Sequence, residues 1–207
     1  MAMQYKSLRS TSCFILLIIF FAQWSFGQPL ECDLKKESEG IKVFTCKTEN
    51  EKFKSIRAEF ELENISAQEL SSVVLNVNTY TTWQYNTFEA EKLTFSETDG
   101  MVYRALVDAP WPVENRELIV SIKAVEETTH TNIYVHSVPY DKPTPKGLVR
   151  VPYLEAYWKI VSKGSTLQIT YTLKIDPGGL VPAWIANIAM AEGPYISFKN
   201  LKAQLLK

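Results

Sequence analysis

From Thr166 to Ile175 apolar and polar residues alternate without a break. Leu167, Ile169, Tyr171, Leu173 and Ile175 fall on one side of an extended chain, and Thr166, Gln168, Thr170, Thr172 and Lys174 on the other. Successive side chains of a strand point to opposite faces, so this pattern makes a strand with one dry and one wet face. Tyr153–Val161 repeats it, with Leu154, Ala156, Trp158 and Ile160 opposing Tyr153, Glu155, Tyr157 and Lys159. Strands of this kind belong to an antiparallel sheet whose dry face must be covered. The residues that follow are the cover. Asp176-Pro177-Gly178-Gly179 ends the strand, and Pro182 suits the first turn of a helix. Trp184, Ile185, Ile188 and Ala189 begin an apolar stripe that Phe198, Leu201 and Leu205 resume. Gly193-Pro194, between the two parts, predicts a bend or an interruption of the helix.

Upstream, Leu93–Glu97, Met101–Val107, Arg116–Glu126 and His130–Val138 also read as strands, separated by proline and glycine. Phe53–Leu62 alternates in the same way. Ser66 followed by Glu69 is a capping box, and Leu70, Val73, Val74 and Leu75 give the short helix behind it an apolar stripe. That reading is preferred to a glycosylation sequon at Asn64-Ile65-Ser66. The aromatic stretch Thr79–Tyr85 fits no single period, and the polar, proline-rich loop Pro139–Lys146 is a candidate mobile element. No repeat or low-complexity tract is present, and helices segregated from strands point to an α+β domain.

Leu34–Glu37 and Ile41–Phe44 around Glu39-Gly40 form a hairpin pattern that sets Cys32 and Cys46 nearly opposite one another. In an oxidising compartment a cross-strand disulfide fits this placement and closes a loop worth about 2–3 kcal/mol. Two free thiols are the alternative. An oxidising compartment is expected from the N-terminus. Lys6 and Arg9 precede the uncharged apolar run Phe14–Ala22, and small residues follow at Ser25 and Gly27. These are the parts of a secretory signal, with cleavage after Gly27; an uncleaved anchor is the alternative reading. Cys13 precedes the apolar run, the wrong side for lipoprotein processing. The expected division is a signal peptide at 1–27 and one domain at 28–207, exported to a periplasmic or extracellular space.

A formal net charge of −1 and a pI near 6.2 argue against nucleic acid as a partner. No nucleophile elbow or phosphate-binding loop occurs, and no cofactor is implied. His130 and His136 share a strand face but stand roughly 20 Å apart, too far for one metal ion. No catalytic residue is assigned.

Pro110-Trp111-Pro112-Val113-Glu114-Asn115-Arg116-Glu117-Leu118-Ile119 resembles the PWPVxxRD(F/L) motif of START (StAR-related lipid-transfer) domains, with Glu117 where the motif has Asp. Gly147-Leu148-Val149-Arg150 is similar to the family's GxVR segment, and Ile175–Trp184 to its DPGGxxPxW entry into the last helix. Gly193-Pro194-Tyr195 with Lys199-Asn200-Leu201-Lys202 resembles the tail of many bacterial members, and Glu39–Val43 the first hairpin. The motifs keep the family's order across nearly all of Leu30–Lys207. The resemblance implies the helix-grip fold, a curved antiparallel sheet around a long C-terminal helix with an internal hydrophobic cavity between them. It implies binding of a lipid or other hydrophobic molecule, by a monomer in transient contact with a membrane surface. A helix-grip enzyme of the cyclase type and an interaction module with a filled core are the alternatives.

Burial of the ligand chain would drive such binding, at about 0.8 kcal/mol per methylene. Tyr103, Trp158, Tyr171, Trp184 and Ile188 are the candidate cavity residues, with ordinary core packing as the alternative for each aromatic; Arg150 is a candidate polar partner, with a structural ion pair the preferred reading. Sterol-carrying members of the family hold a charged pair in the cavity. Counting along the motifs puts those positions near Ile122 and Tyr103, so a more apolar cavity is expected here, one less suited to sterols.

Overall fold

The computed structural model describes residues 31–47, 55–96 and 100–206, except for the side chains of residues 183, 184, 187 and 188. The expected signal segment, 1–27, lies outside the described residues.

The first hairpin pairs β1 (Glu31–Ser38) with β2 (Ile41–Lys47) through a two-residue turn in which both Glu39 (φ 52°) and Gly40 (φ 73°) are left-handed. That conformation matches the twist of the flanking strands and favours glycine. It puts Cys32 in register with Cys46, and the two are joined by a disulfide with their Cα atoms 4.0 Å apart. β3 (Ser55–Glu63) follows; Phe53 and Lys54, expected to begin it, lie outside the described residues. The capping box forms as expected. Ser66 Oγ accepts from the Glu69 amide at 3.1 Å, and the Glu69 carboxylate accepts from the Ser66 amide at 2.8 Å, starting α1 (Ala67–Val74).

The ambiguous aromatic stretch is a 3₁₀ turn at Val77–Thr79 followed by the four-residue α2 (Tyr80–Trp83). β4 (Thr87–Ser96) begins six residues before the expected Leu93 and is an edge strand. β5 (Gly100–Val107), β6 (Asn115–Glu126), β7 (Thr131–Ser137), β9 (Tyr153–Lys163) and β10 (Thr166–Asp176) lie where the alternation placed them. β8 (Leu148–Arg150) was not expected, being three residues long and paired in parallel with β6.

The ten strands of the described residues form one sheet in the order β1-β2-β3-β10-β9-β7-β6-β5-β4, antiparallel throughout except for β8 on β6. The last helix, α3 (Ala183–Leu205), lies against β1, β2 and β3 on the sheet's dry face. Of the bend or interruption expected at Gly193-Pro194, the interruption does not occur: Pro194 stands inside a continuous helix. The Ser197 hydroxyl donates to the Gly193 carbonyl at 2.8 Å and accepts from the Tyr85 amide at 2.9 Å, fixing this stretch to the segment after α2. Sheet and helix together are the helix-grip fold.

Charged contacts hold the helix to the hairpin. Lys36 pairs with Glu192 at 2.6 Å, and Lys199 with Glu39 at 2.6 Å. Tyr195 also donates to Glu39, at 3.1 Å. On the far face of the sheet, Glu117 is 1% exposed and takes Arg104 Nε at 2.7 Å and Arg150 Nε at 2.8 Å. A buried carboxylate needs such partners, and removing one would strand the charge.

Candidate functional site

The inward positions of β5, β6, β9 and β10 make a nearly continuous apolar wall facing α3. Leu167 and Ile169 on β10, Trp158 and Ile160 on β9, and Val120 and Ile122 on β6 are buried. At the C-terminal half of α3 the wall is closed by rings. Phe198 lies 4.8 Å from Phe60 in a stacked pair, and meets Trp158 at 5.3 Å and Tyr171 at 5.1 Å edge-on. Such pairs add about 0.5–1.5 kcal/mol beyond the area they bury.

Further along the same faces the packing loosens. Tyr171, Leu173 and Ile175 continue the inward face of β10 and are only half-buried, as are Leu118 on β6 and Met190 on α3. Native interiors are packed to crystal density. These accessible inward apolar side chains lie on the part of the wall that precedes the closed end. This is the candidate site.

Three tyrosines meet near its closed end. Tyr80, from α2, donates to the Val74 carbonyl at 2.7 Å, and its ring lies 5.1 Å edge-on from that of Tyr103. Tyr171 stands 5.0 Å from Trp158. Burial pushes the phenols of Tyr80, Tyr103 and Tyr171 up from their ordinary value, and Tyr103 adds to the shift at Tyr171. All three are neutral phenols at physiological pH, able to give or take one hydrogen bond each.

Of the residues singled out in the sequence, Tyr103, Trp158 and Tyr171 lie on the inward wall. Trp184 and Ile188 fall on α3, but their side chains are outside the described residues. Arg150 is on the other face: β8 runs beside β6 with Arg150 in register with Glu117, so its guanidinium meets that carboxylate and not the interior. It also donates to the Tyr140 and Lys142 carbonyls at 3.1 and 2.8 Å, joining the proline-rich loop to β8. The positions suggested for a charged pair, Ile122 and Tyr103, are both buried on the apolar wall. Sequence reasoning missed Tyr80, because a four-residue helix shows no period.

The mouth is built around Arg116. Its Nε donates to the Pro177 carbonyl at 2.8 Å and its Nη2 to that of Gly178 at 3.2 Å, while Nη1 donates to the Glu114 carbonyl. The loop before β6 and the loop before α3 are thereby tied together. Gly178 is left-handed (φ 66°), and a Cβ there would come within 3.0 Å of Pro152 Cδ and 3.2 Å of the Arg150 carbonyl. Each loop carries a bare apolar side chain, Trp111 at 88% and Leu180 at 96% exposure.

A separate depression of about 460 Å³ lies on the outer face between β7 and β9, lined by Tyr134, His136, Tyr153, Glu155 and Tyr157. It is a trough open to solvent rather than an enclosure, so the inward wall is the stronger candidate. Among the described residues no group of His, Cys, Asp or Glu is placed to hold a metal ion, and no helix is long and apolar enough to cross a membrane.

Comparison with known proteins agrees with this geometry. No protein-family model matches the chain. An uncharacterized protein of Pseudomonas aeruginosa is 28% identical over 173 residues, 82% of this chain and 84% of its own length. Mouse START domain-containing protein 10 is 26% identical over 162 residues, 75% of this chain but 54% of its own length. The crystal structure of a STAR-related lipid transfer protein from Xanthomonas axonopodis (fragment 25–204) superposes with a TM-score of 0.76 at 28% identity, covering 85% of this chain and 99% of that one. The fold is that of a helix-grip domain. Within that class the chain is similar to START-type domains in sequence and in fold.

Proposed function

We propose that this chain is an exported carrier that holds one lipid or other hydrophobic small molecule between its sheet and α3. The observation that carries this reading is the half-buried inward face at Tyr171, Leu173, Ile175 and Leu118, an apolar wall left accessible inside the molecule. Binding is by burial, at about 25 cal/mol per Å² of apolar surface removed from water. The reading is of binding without catalysis, and the similarity to the STAR-related lipid transfer protein of Xanthomonas axonopodis supports it. Export is supported by the signal pattern at 1–27 and by a disulfide that suits an oxidising space.

Exchange of such a ligand takes place at a membrane surface, and Trp111 and Leu180 are the residues to meet it. Single exposed apolar side chains are ordinary. Here two are almost fully bare on loops that Arg116 ties together at the mouth. Tryptophan favours the bilayer interface. Replacing both by Ala should cut sedimentation with phosphatidylcholine vesicles severalfold, and equal sedimentation would remove the membrane part of the proposal.

Native mass spectrometry of the exported protein, with solvent extraction, tests the carrier itself. A monomer retaining one extractable lipid per chain is the expected result. A ligand-free mass that persists after incubation with mixed lipids would mean a filled interior and a different role.

A further inference from the structure

We propose that the Tyr171 hydroxyl anchors an uncharged oxygen of the bound molecule, a hydroxyl or a carbonyl, so that the ligand is a neutral lipid rather than one with an ionised headgroup. This rests on the carrier reading and names the chemistry of the same site.

The three interior tyrosines differ in what their hydroxyls do. Tyr80 commits its proton to the Val74 carbonyl, and the Tyr103 ring packs edge-on against it at 5.1 Å. Tyr171 is held by ring contacts with Trp158 and Phe198, and among the described residues nothing accepts or donates a hydrogen bond at its hydroxyl. It also stands where the face of β10 passes from closed, at Ile169, to open, at Leu173. A polar group inside an apolar site that the protein leaves unpaired is costly unless a ligand or water pairs it.

The surrounding wall selects against charge. From Met101 to Ala105, Leu118 to Ala124, Leu154 to Ile160 and Leu167 to Ile175 the inward positions carry no ionised side chain. Arg116, at the mouth, points its donors at three backbone carbonyls. The buried carboxylate Glu117 faces the other way, between two arginines. An ionised headgroup drawn into this wall would lose its water with no counter-charge, whereas one hydroxyl or carbonyl needs one hydrogen bond.

The test compares probes of equal chain length below their micellar concentrations: oleyl alcohol, 1-octadecene, oleate and oleoyl lysophosphatidylcholine. Binding to wild type and to Tyr171→Phe is measured by native mass spectrometry. Phe keeps the ring contacts, and an unchanged thermal midpoint checks that the variant is folded. Oleyl alcohol should bind best, and the variant should weaken it roughly three- to tenfold, the worth of one hydrogen bond, while leaving 1-octadecene unchanged. Equal or tighter binding of oleate or the lysophospholipid overturns the neutral class. Unaltered oleyl alcohol binding by the variant overturns the anchor. If wild type takes none of the four probes, the carrier reading itself fails, and this inference with it.

Discussion

The interior has two halves that share a strand and differ in kind. At Leu167 and Ile169, β10 faces a closed core in which Phe198 meets Phe60 and Trp158, and Leu201 is fully buried. Six residues further on, at Leu173 and Ile175, the same face of the same strand is half-open beneath the first part of α3. The alternation that makes the strand is identical in both places. At its C-terminal half α3 brings Phe198 and Leu201 to that face; in the other half the side chains of Trp184 and Ile188 lie outside the described residues. A dry sheet face therefore establishes that something covers it, and the side chains of the cover decide whether the space between is filled. Under the carrier proposal, the closed half supplies packing and the half-buried one receives the ligand.

Phe198→Ala strikes the closed half and should have the largest effect. It removes the ring at the centre of the cluster, and substitutions of this kind cost about 3–5 kcal/mol. Urea unfolding should register a loss of that size. A loss under about 1 kcal/mol would mean that the two halves are packed alike, and the contrast between them would fall.

How much of this was legible in the sequence follows from the range of the interactions involved. The Ser66–Glu69 capping box, the hairpin that pairs Cys32 with Cys46, and the faces of β9 and β10 depend on neighbours a few residues apart, and the pattern found them. β8 escaped because it exists only through its pairing with β6, some thirty residues earlier in the chain. The same distance left Arg150 between two readings, since three residues have no period to show which face they take; the preferred one, an ion pair, is the one it makes with Glu117. β4 was begun too late because an edge strand is wetted on both faces, and Thr87-Phe88-Glu89-Ala90-Glu91 has no dry side to reveal it. The site was legible as an apolar wall with Tyr103, Trp158 and Tyr171 on it. Its opening was not, because half-burial of Leu173 is a property of the helix opposite.

A direct contrast between the halves comes from adding volume. Ile169→Trp should overpack the closed half at a cost of about 1–3 kcal/mol or more. Leu173→Trp, two residues on along the same inward face, should change stability by less than about 1 kcal/mol, since the space is already there. Only the second should abolish retention of extractable lipid while leaving the fold intact. Paired urea titrations and extractions on the two variants measure this. Equal destabilisation by both would show that the interior near Leu173 is as full as it is near Ile169.

The smallest expected effect concerns the latch that sets α3 against the hairpin. Hydrogen bonds from Lys199 and then Tyr195 hold the Glu39 carboxyl below its ordinary value near 4.5, and the Glu39 partnership raises Lys199 above its ordinary 10.5. A lowered carboxylate contributes stability above its unfolded value and loses it as pH falls through the folded one, so this contribution disappears below about pH 4.5. The raised lysine contributes below 10.5 and loses its share as pH climbs past that value. Both groups are well exposed and screened by water, which keeps the effect small. Glu39→Gln should therefore lower the thermal midpoint slightly at pH 7, and the difference from wild type should shrink as pH falls below 4.5 through the lowered value of the native carboxylate. Because Glu39 grips the closed half of α3 through Tyr195 and Lys199, lipid retention should be unchanged by the substitution. A variant that holds its fold but sheds its lipid would mean instead that the latch sets the width of the open half, and that the two halves are mechanically one.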